Sequence, residues 1–308
     1  MKKILVIGPS NTDMIIKLER LPTPGETIVG GDFATAGGGK GANQAVQCAR
    51  LGADVILLAR IGKDPFGDRS VEQFRKEGID TSFIIRDEEH HSGIALIFVD
   101  KKGENMIAVA PGSNSYLSGE DVKRAREAFR LSSTLLIQLE IPLEPVETAV
   151  NLAKEEGLTV LLNPAPAQPL PPSVLQNIDI LVPNETEAKI LCGFPPDAEI
   201  SPKELGEMLL GKGVKKVIIT LGSKGAMYME GEEMFEVPAF KVESVDTTAA
   251  GDSFCGALAV AIAEGKGMRE AIRFASACAA ISTTRLGAQP SLPYRKEVEE
   301  FLSKYQQE

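Results

Sequence analysis

Tryptophan is absent from this 308-residue sequence, and histidine and cysteine are scarce, with two and four residues. The cysteines show no CxxC or zinc-ligand spacing, which predicts reduced thiols in a cytoplasmic protein rather than a metal site or a disulfide framework. The histidines, His90 and His91, are adjacent in a polar stretch. Two neighbouring ligands without a third form no metal cage, which favours a solvated loop. The cysteines are Cys48, Cys192, Cys255 and Cys278.

Long apolar runs and basic clusters are also absent. No stretch reaches 18 apolar residues, and the N-terminal apolar run stops at Gly8, which is too short for the core of a signal peptide. Lys and Arg number 33 against 43 Asp and Glu, a net charge of −10. These absences argue against nucleic-acid and membrane partners. An anionic ligand would need a local positive field from backbone amides, a helix N-terminus or a metal.

Apolar residues make up 43% of the sequence and charged residues 25%, as in ordinary globular proteins. Predicted strands and helices alternate regularly in the second half. Such alternation implies right-handed crossovers, so we expect an α/β fold with three layers (α/β/α), doubly wound around a mainly parallel sheet. The predicted strands are 3–8, 55–61, 82–86, 134–138, 159–162, 178–182, 216–220, 225–229 and 233–240. The predicted helices are 42–51, 66–77, 118–129, 144–156, 185–191, 202–210, 251–264, 268–284 and 293–305.

Two insertions without helical periodicity interrupt this pattern, at 12–36 and 92–110. The first predicts strands at 13–19 and 27–33, and the second predicts a hairpin of 92–99 and 105–110. Neither would be stable alone, but together they would form a four-stranded sheet beside the strand ends where open α/β sheets bind ligands. We therefore expect a β lid on a core formed by 1–11, 37–91 and 111–308. Two unrelated surface hairpins are the alternative.

A run of glycines at 37–41 precedes a predicted helix, with four glycines in five residues. Glycine lets a backbone approach a ligand closely, and the helix N-terminus favours an anion or a hydroxyl-rich ligand. The run matches neither the P-loop nor the dinucleotide fingerprint. Taken alone, it is equally consistent with a flexible turn.

The segment 246–252 places small residues between two aspartates at the start of an apolar helix. Several backbone N–H groups at such a start lack intrahelical partners and can stabilise a transferring phosphoryl group. Asp252 can take a proton from a hydroxyl there, although a carboxylate in a first turn can also serve only the helix dipole.

Two further segments carry alternatives. The glycine-rich turn at 220–225 is either a nucleotide-binding turn or a plain hairpin connection. Asn184 and Glu187 lie one helical turn apart, so they either hold a hydrated magnesium ion or form a helix cap.

Seven short motifs, in order along nearly the whole chain, resemble those of the ribokinase-like carbohydrate kinase family. They are GPSNTD (8–13), GGKGANQA (38–45), QLEIP (138–142), NPAPA (163–167), PNETE (183–187), DTTAAGD (246–252) and GAQPS (287–291). The resemblance implies ATP-dependent phosphorylation of the 5-hydroxyl of D-ribose, giving D-ribose 5-phosphate and ADP.

Site residues follow from the same resemblance. Asp252 corresponds to the general base, which contacts the reacting hydroxyl of the substrate, and Ala249, Ala250 and Gly251 correspond to the anion hole. The sugar-binding positions are Asn11, Asp13, Gly39, Lys40, Asn43 and Glu140. The nucleotide positions are Asn184, Thr220, Gly222, Ser223, Gly225, Gly251 and Ser276, with Glu187 near magnesium, bound through water. The monovalent-cation positions, with potassium as the expected activator, are Asp246, Thr248, Ser282, Arg285, Gly287 and Ser291.

The family's lid strands pair between subunits, which implies a homodimer. The β-forming residues Ile15, Ile28, Ile94, Leu96 and Phe98 are candidates for that contact. A related kinase acting on 2-deoxyribose, fructose or a nucleoside is the alternative function. A nucleoside would need an apolar or aromatic wall, which a sequence with no Trp and four Tyr disfavours. A non-catalytic sensor would keep the pocket without its base, and the presence of Asp252 argues against it.

Overall fold

A computed structural model describes residues 3–101 and 104–305 of the chain. The strands are β1 (Lys3–Ile7), β2 (Asn11–Lys17), β3 (Asp32–Gly38), β4 (Val55–Leu58), β5 (Arg60–Gly62), β6 (Ile85–Asp87), β7 (Gly93–Val99), β8 (Asn105–Ala110), β9 (Ser132–Gln138), β10 (Thr159–Asn163), β11 (Ile180–Leu181), β12 (Lys216–Thr220), β13 (Gly225–Glu230) and β14 (Glu233–Pro238). The helices are α1 (Lys40–Arg50), α2 (Pro65–Lys76), α3 (Gly119–Arg124), α4 (Arg126–Arg130), α5 (Leu143–Glu155), α6 (Pro172–Leu175), α7 (Glu185–Cys192), α8 (Pro202–Gly211), α9 (Ala250–Ala263), α10 (Met268–Thr283) and α11 (Arg295–Lys304).

The main sheet has eight strands in the order β14-β13-β12-β11-β10-β9-β1-β4. Neighbours from β12 to β4 pair in parallel, and β13 and β14 extend the sheet as antiparallel strands. Consecutive residues of the fully buried strands point to opposite faces, and each face carries its own apolar core. Helices α1, α9 and α10 pack on one face, and α5, α7 and α8 on the other. The predicted three-layer, mainly parallel fold is confirmed.

The sequence of strands along the chain places the functional region. From β1 the chain passes to β4 on one side, and β9 then pairs with β1 on the other side. Open α/β sheets bind ligands in the crevice at such a reversal, outside the carboxyl ends of the strands. Here those ends are Gly8 after β1, Gln138 in β9 and Asn163 in β10.

A separate four-stranded sheet, in the order β3-β2-β7-β8, confirms the predicted small β-sheet. It is mixed, because β2 pairs with β7 in parallel and the two outer pairs are antiparallel. The predicted strand at 27–33 is wrong: β3 begins at Asp32, since Gly30 and Gly31 adopt φ values of 113° and 109° that interrupt an extended strand. Part of the predicted turn of the β7–β8 hairpin, residues 102 and 103, lies outside the described residues.

Several boundaries also differ from prediction. The predicted strand 55–61 divides into β4 and β5, because β5 leaves the main sheet and pairs with β6. The predicted helix 118–129 divides into α3 and α4 at Ala125. All four cysteines are free, and three of them are buried. Within the described ranges, no helix is long and apolar enough to cross a membrane.

Candidate active site

The end of β1 continues into β2, which carries two polar side chains at the base of the small sheet. Asn11 and Asp13 are both buried and, as alternate residues of a strand, share one face. The Nδ2 group of Asn114 donates to Asn11 Oδ1 at 2.8 Å, and Asn114 Oδ1 accepts from the amide of Ser10 at 3.0 Å. Asn114 therefore fixes the orientation of Asn11, whose amide nitrogen is the group that it can offer to a ligand.

The glycine run wraps around this pair. Gly37 and Gly38 end β3 beside Thr12 and Asn11, and a Cβ on Gly38 would overlap the carboxylate of Asp13. Gly39 caps α1 with a φ of 86°, a left-handed conformation that side chains disfavour. The amide of the next residue, Lys40, donates to Glu140 Oε2 at 3.2 Å. The run therefore packs directly against Asn11 and Asp13 and is joined to Glu140 by a hydrogen bond.

Asp252 lies at the start of α9 and is 5% exposed. Its Oδ2 accepts from Asn43 Nδ2 at 2.8 Å and its Oδ1 accepts from Gln44 Nε2 at 3.0 Å. Asn43 and Gln44 belong to the first turns of α1, so the carboxylate joins the N-terminal ends of two helices. It is largely shielded from water and accepts two hydrogen bonds that stabilise its charge.

The residues before Asp252 include one with a left-handed backbone conformation. Ala249 is the N-cap of α9 and, with a φ of 60°, is the one non-glycine residue of the described chain with a positive φ. Alanine is strained in this conformation, and such strain concentrates at functional sites. The amide of Ala250 donates to the carbonyl of Thr247 at 3.2 Å, so its N–H would have to exchange that partner to bind a ligand. Gly251 is exposed.

Acidic side chains dominate the electrostatics of the site. Burial, with smaller contributions from the charges of Glu140 and Asp252, raises the pKa of Asp13 to about 7. Burial also raises the pKa of Glu140, although the amide and charge of Lys40 oppose the effect. The pKa of Lys40 is raised, chiefly by the negative charge of Asp252. One ammonium group thus stands among three carboxyl groups.

A cavity of about 230 Å³ adjoins Asp252 on the side of β10 to β12. Lys40, Asp252, Asn184, Glu187 and Thr220 line its wall. Burial raises the pKa of Glu187, so this wall, too, carries a desolvated carboxyl group. The cavity therefore connects Asp252, the predicted general base, to the predicted nucleotide and magnesium positions.

Both alternatives for Asn184 and Glu187 are compatible with this arrangement. Asn184 Oδ1 accepts from the amide of Glu187, and Glu187 Oε2 accepts from the amide of Asn184, each at 2.8 Å. This reciprocal capping box begins α7. It leaves Glu187 Oε1 available at the cavity. Oxygen donors suit magnesium, which keeps most of its ligands as waters and phosphates.

The glycine-rich turn joins two antiparallel strands, as the hairpin alternative predicts. Leu221 donates its amide to the carbonyl of Gly225 at 2.7 Å, and a short 3₁₀ segment lies between them. Of the predicted nucleotide positions here, Thr220 borders the cavity. As far as the chain is described, Gly222, Ser223, Gly225 and Ser276 do not line it. Ser276 lies buried on α10.

The predicted cation positions lie in the loop before α9 and between the end of α10 and Ser291. Asp246 Oδ1 accepts from the amide and hydroxyl of Thr248 at 2.9 and 2.6 Å, and its Oδ2 accepts from the amide of Gly287 at 2.8 Å. The Arg285 guanidinium instead pairs with Glu297 at 2.5 Å. The hydroxyls of Ser282 and Ser291 donate to backbone carbonyls. What these residues offer a cation is therefore carboxylate and carbonyl oxygen.

The predicted solvated loop at His90 and His91 is also consistent with the structure. His90 stacks on Tyr116, with ring centroids 3.4 Å apart, and lies beside Asp87. Within residues 3–101 and 104–305, no three His, Cys, Asp or Glu side chains are grouped so that they could hold a metal ion.

Four buried amide residues at the site were not predicted: Gln44, Asn114, Gln138 and Asn163. A signal exists for two of them, because Gln138 and Asn163 are polar residues at the ends of otherwise apolar strands. Gln44 lies within the glycine motif, and nothing in the sequence distinguishes Asn114.

Comparison with known proteins identifies the family of this chain. The family described as pfkB family carbohydrate kinase matches residues 1–295. A ribokinase from Haemophilus influenzae is 45% identical over 301 residues, covering 98% of both chains. A deoxyribokinase from Salmonella typhi is 38% identical over 301 residues, covering 97% of this chain and 98% of that protein.

Solved structures give the same result. Ribokinase from Thermotoga maritima superimposes with a TM-score of 0.90 at 42% identity, covering 98% of this chain and 100% of that chain. Ribokinase from Arabidopsis thaliana, complexed with ribose and ATP, superimposes with a TM-score of 0.89 at 34% identity, covering 98% of both chains. The resemblance in the seven motifs is thereby confirmed, and the chain belongs to the pfkB family of carbohydrate kinases.

Proposed function

We propose that this protein is a ribokinase, which transfers the γ-phosphoryl group of ATP to the 5-hydroxyl of D-ribose and releases D-ribose 5-phosphate and ADP. The observation that carries the proposal is the position of Asp252. Its buried carboxylate interacts electrostatically with Asp13 and Glu140, and Asp252 also lines the cavity that reaches Asn184. A hydroxyl acceptor on one side and a phosphoryl donor on the other would meet there.

The sugar side of the site supplies acceptors and donors for several hydroxyls. In this proposal Asp13 accepts from two adjacent hydroxyls, and Asn11 and Asn43 donate through their amides. Gly39, Lys40 and Glu140 contact the other side of the sugar. The Oδ1 atom of Asn43 is buried and has no hydrogen-bond partner, so a sugar hydroxyl would satisfy it.

Asp252 acts as the general base. It takes the proton of the 5-hydroxyl while the oxygen attacks the γ-phosphorus, and the bond from phosphorus to the departing ADP oxygen breaks. The backbone N–H groups of Ala249, Ala250 and Gly251 stabilise the charge on the transferring group. The small sheet closes over the sugar as a lid, and 12–36 and 92–110 move relative to the rest of the chain. Closure excludes water that would compete for the phosphoryl group.

The nucleotide occupies the side lined by Asn184 and Thr220, with Gly222, Ser223, Gly225 and Ser276 toward its base. Glu187 and Asn184 would hold magnesium through water, because the capping box leaves Glu187 Oε1 unengaged. Magnesium, when bound with ATP, neutralises phosphate charge. The four free cysteines suit a reducing compartment, in keeping with a cytoplasmic location.

A related sugar is the second candidate substrate, because a deoxyribokinase is also among the similar proteins. The test is a panel of D-ribose, 2-deoxyribose, fructose and a nucleoside with Mg-ATP, with the phosphorylated product identified and kcat/KM compared. D-ribose is expected to give the highest value. Equal or better turnover of 2-deoxyribose would make the ribose proposal wrong while leaving a pfkB kinase, and no turnover of any sugar would favour a sensor.

Potassium is proposed as an activator, bound near Asp246, Thr248, Ser282, Arg285, Gly287 and Ser291. The support is that Asp246 connects its own loop to Gly287, and the amides of Val245 and Asp246 donate to Thr283 O. A cation on these carbonyls would hold the adjacent loop so that the amides of 249–251 face the phosphoryl group. We expect kcat in potassium to exceed kcat in sodium several-fold at equal ionic strength. Equal rates in the two salts would reject the cation site alone.

A homodimer through the lid is proposed because apolar side chains are exposed on both faces of the small sheet. Leu96, Met106, Ile107 and Val109 are 45–57% exposed on β7 and β8, and Phe33 is 64% exposed on β3. Exposed apolar patches of this kind mark interaction surfaces. Of the five residues predicted from sequence, Leu96 is exposed and Ile15, Ile28, Ile94 and Phe98 are half-buried. Light scattering should give twice the 32.9 kDa chain mass, and Ile107→Glu should give a monomer. A wild-type monomer would overturn the dimer.

A further inference from the structure

A chain of buried amide side chains continues from Asp252 into the centre of the sheet. Gln44, which is 0% exposed, donates from Nε2 to Asp252 Oδ1 at 3.0 Å and to Asn163 Oδ1 at 3.1 Å. Gln44 Oε1 accepts from Gln138 Nε2 at 2.6 Å. Asn163 Nδ2 in turn donates to the carbonyl of Val182 at 3.1 Å. The carboxylate is thereby connected to the ends of β9 and β10.

The direction of every hydrogen bond in this chain follows from one charge. An ionised Asp252 can only accept, so the NH₂ group of Gln44 must face it and the oxygen of Gln44 must face Gln138. Both hydrogens on Gln44 Nε2 are then used. Gln138 must present its own NH₂ group, and its buried Oε1 is left without a partner. If the amide of Gln138 were turned, its oxygen would face the oxygen of Gln44. The two amides are therefore held in one relative orientation.

We propose that Gln44 is a positioning residue for the catalytic base, which holds one oxygen of Asp252 and stabilises the ionised carboxylate. The inference rests on the proposed function, in which Asp252 takes the proton of the sugar hydroxyl. Asn43 alone would fix one oxygen and leave the carboxylate free to rotate. Gln44 fixes the second oxygen, and since it belongs to the helix that begins at the sugar site, the base keeps its distance to the acceptor hydroxyl.

Other titratable groups also face Asp252. From the remaining elements around it these are Lys40 on α1, Asp13 on β2, Glu140 after β9, Glu187 on α7 and Cys255 on α9. Lys40 is the cation among them, and no direct hydrogen bond joins it to Asp252 among the described contacts. Gln44 differs from all of these groups because it donates directly to the carboxylate.

The test replaces Gln44 with methionine, which has a similar length and no donor. At saturating D-ribose and Mg-ATP, kcat is expected to fall about tenfold, because a hydrogen bond to a charged group is lost. The two KM values should change less than about twofold, since such a change acts on the chemical step. The protonated form of the base also becomes more favourable, so the acid limb of kcat against pH should move upward by about one pH unit.

Gln47→Met is the matched control. Gln47 lies on the same helix, is also 0% exposed, and bonds to Ser253 Oγ at 2.9 Å and Pro293 O at 3.1 Å rather than to Asp252. It should lower the melting temperature as Gln44→Met does without moving the acid limb. If both variants move it equally, or neither does, Gln44 has no positioning role.

Two further variants keep the outcome decisive. If Gln44→Met does not fold, Gln44→Glu replaces it, because glutamate keeps the length of the side chain and an acceptor for Gln138 but offers Asp252 no NH₂ donor. An unmoved acid limb in that variant then overturns the inference. Asp252→Asn is measured in parallel. Normal turnover of Asp252→Asn would overturn the proposed general base itself. If Asp252→Asn is inactive but the acid limb of kcat against pH is unchanged in Gln44→Met, only the role of Gln44 is overturned.

Discussion

Replacing Asp252 with asparagine is expected to lower kcat by about 10²–10⁴-fold, the range usually lost with a general base. An amide accepts a hydrogen bond but does not take up the proton of the 5-hydroxyl. Sugar binding should survive, because Asn11 and Asp13 remain in place. The measurements are kcat at saturating substrates and the Kd of D-ribose by calorimetry.

The variant should fold, for a reason visible in the hydrogen bonds around the carboxylate. Two amide donors face the two oxygens of Asp252, and an asparagine there offers one oxygen and one NH₂ group. Gln44 is held by Gln138 and keeps its NH₂ group toward residue 252. Asn43 can turn its amide, because its Oδ1 has no partner to lose. The melting temperature should therefore fall only slightly.

The matched control is Asp68→Asn, at a carboxylate that is 68% exposed and pairs with Arg86 away from the site. Its kcat should equal that of the wild type. Near wild-type turnover of a folded Asp252→Asn would show that another group takes the proton.

How far the sequence predicts the fold depends on whether a segment's structure is local. The strands 134–138, 159–162 and 216–220 lie close to β9, β10 and β12, because each is a continuous apolar run bounded by polar residues or turns. The strand predicted at 27–33 has suitable residues but the wrong place. Its actual position follows from pairing Asn11 with Gly38, which depends on a partner strand and not on its own residues.

The site shows the same division. Asp13 and Asp252 stand in short motifs, so the sequence identifies them as candidates. Gln44 and Gln138 also stand in short motifs, but the motifs do not show that these side chains meet, because Gln44 contacts Gln138 across 94 positions and Asp252 across 208. A buried glutamine in a helix predicts nothing about its partners until the strands are placed. The tertiary fold alone brings these residues together.

Replacing Asp13 with alanine is expected to raise the KM for D-ribose by roughly 10–100-fold, since each hydrogen bond to a charged acceptor contributes about 1.5–3 kcal/mol. In the proposed role Asp13 accepts from two hydroxyls, and Gly38 packs directly against its carboxylate. The loss should appear mainly in KM, because the contact is made in both the bound state and the transition state. Thr12→Ala, on the opposite face of the same strand, is the control and should leave KM unchanged.

The same residue gives a pH dependence whose sign can be worked out. Burial raises the pKa of Asp13 to about 7 from its ordinary value of 3.8, so in the free enzyme the carboxyl group gains a proton as pH falls through 7. The charged acceptor is then lost, and kcat/KM for D-ribose should fall toward acid pH while kcat changes less. Stability moves the other way. The protonated form is favoured by folding, so this contribution is full below about pH 4 and disappears as pH rises through 7.

Asp13→Asn tests both effects, because asparagine keeps the size of the side chain and does not titrate in this range. In the variant, kcat/KM for D-ribose should no longer fall as pH drops through 7. Its melting temperature should vary less between pH 5 and 8 than that of the wild type. At pH 5, where Asp13 is already neutral, the KM values of the variant and the wild type should approach each other. A wild-type KM that stays constant from pH 5 to 8, or an unchanged KM in Asp13→Ala, would remove Asp13 from the sugar site.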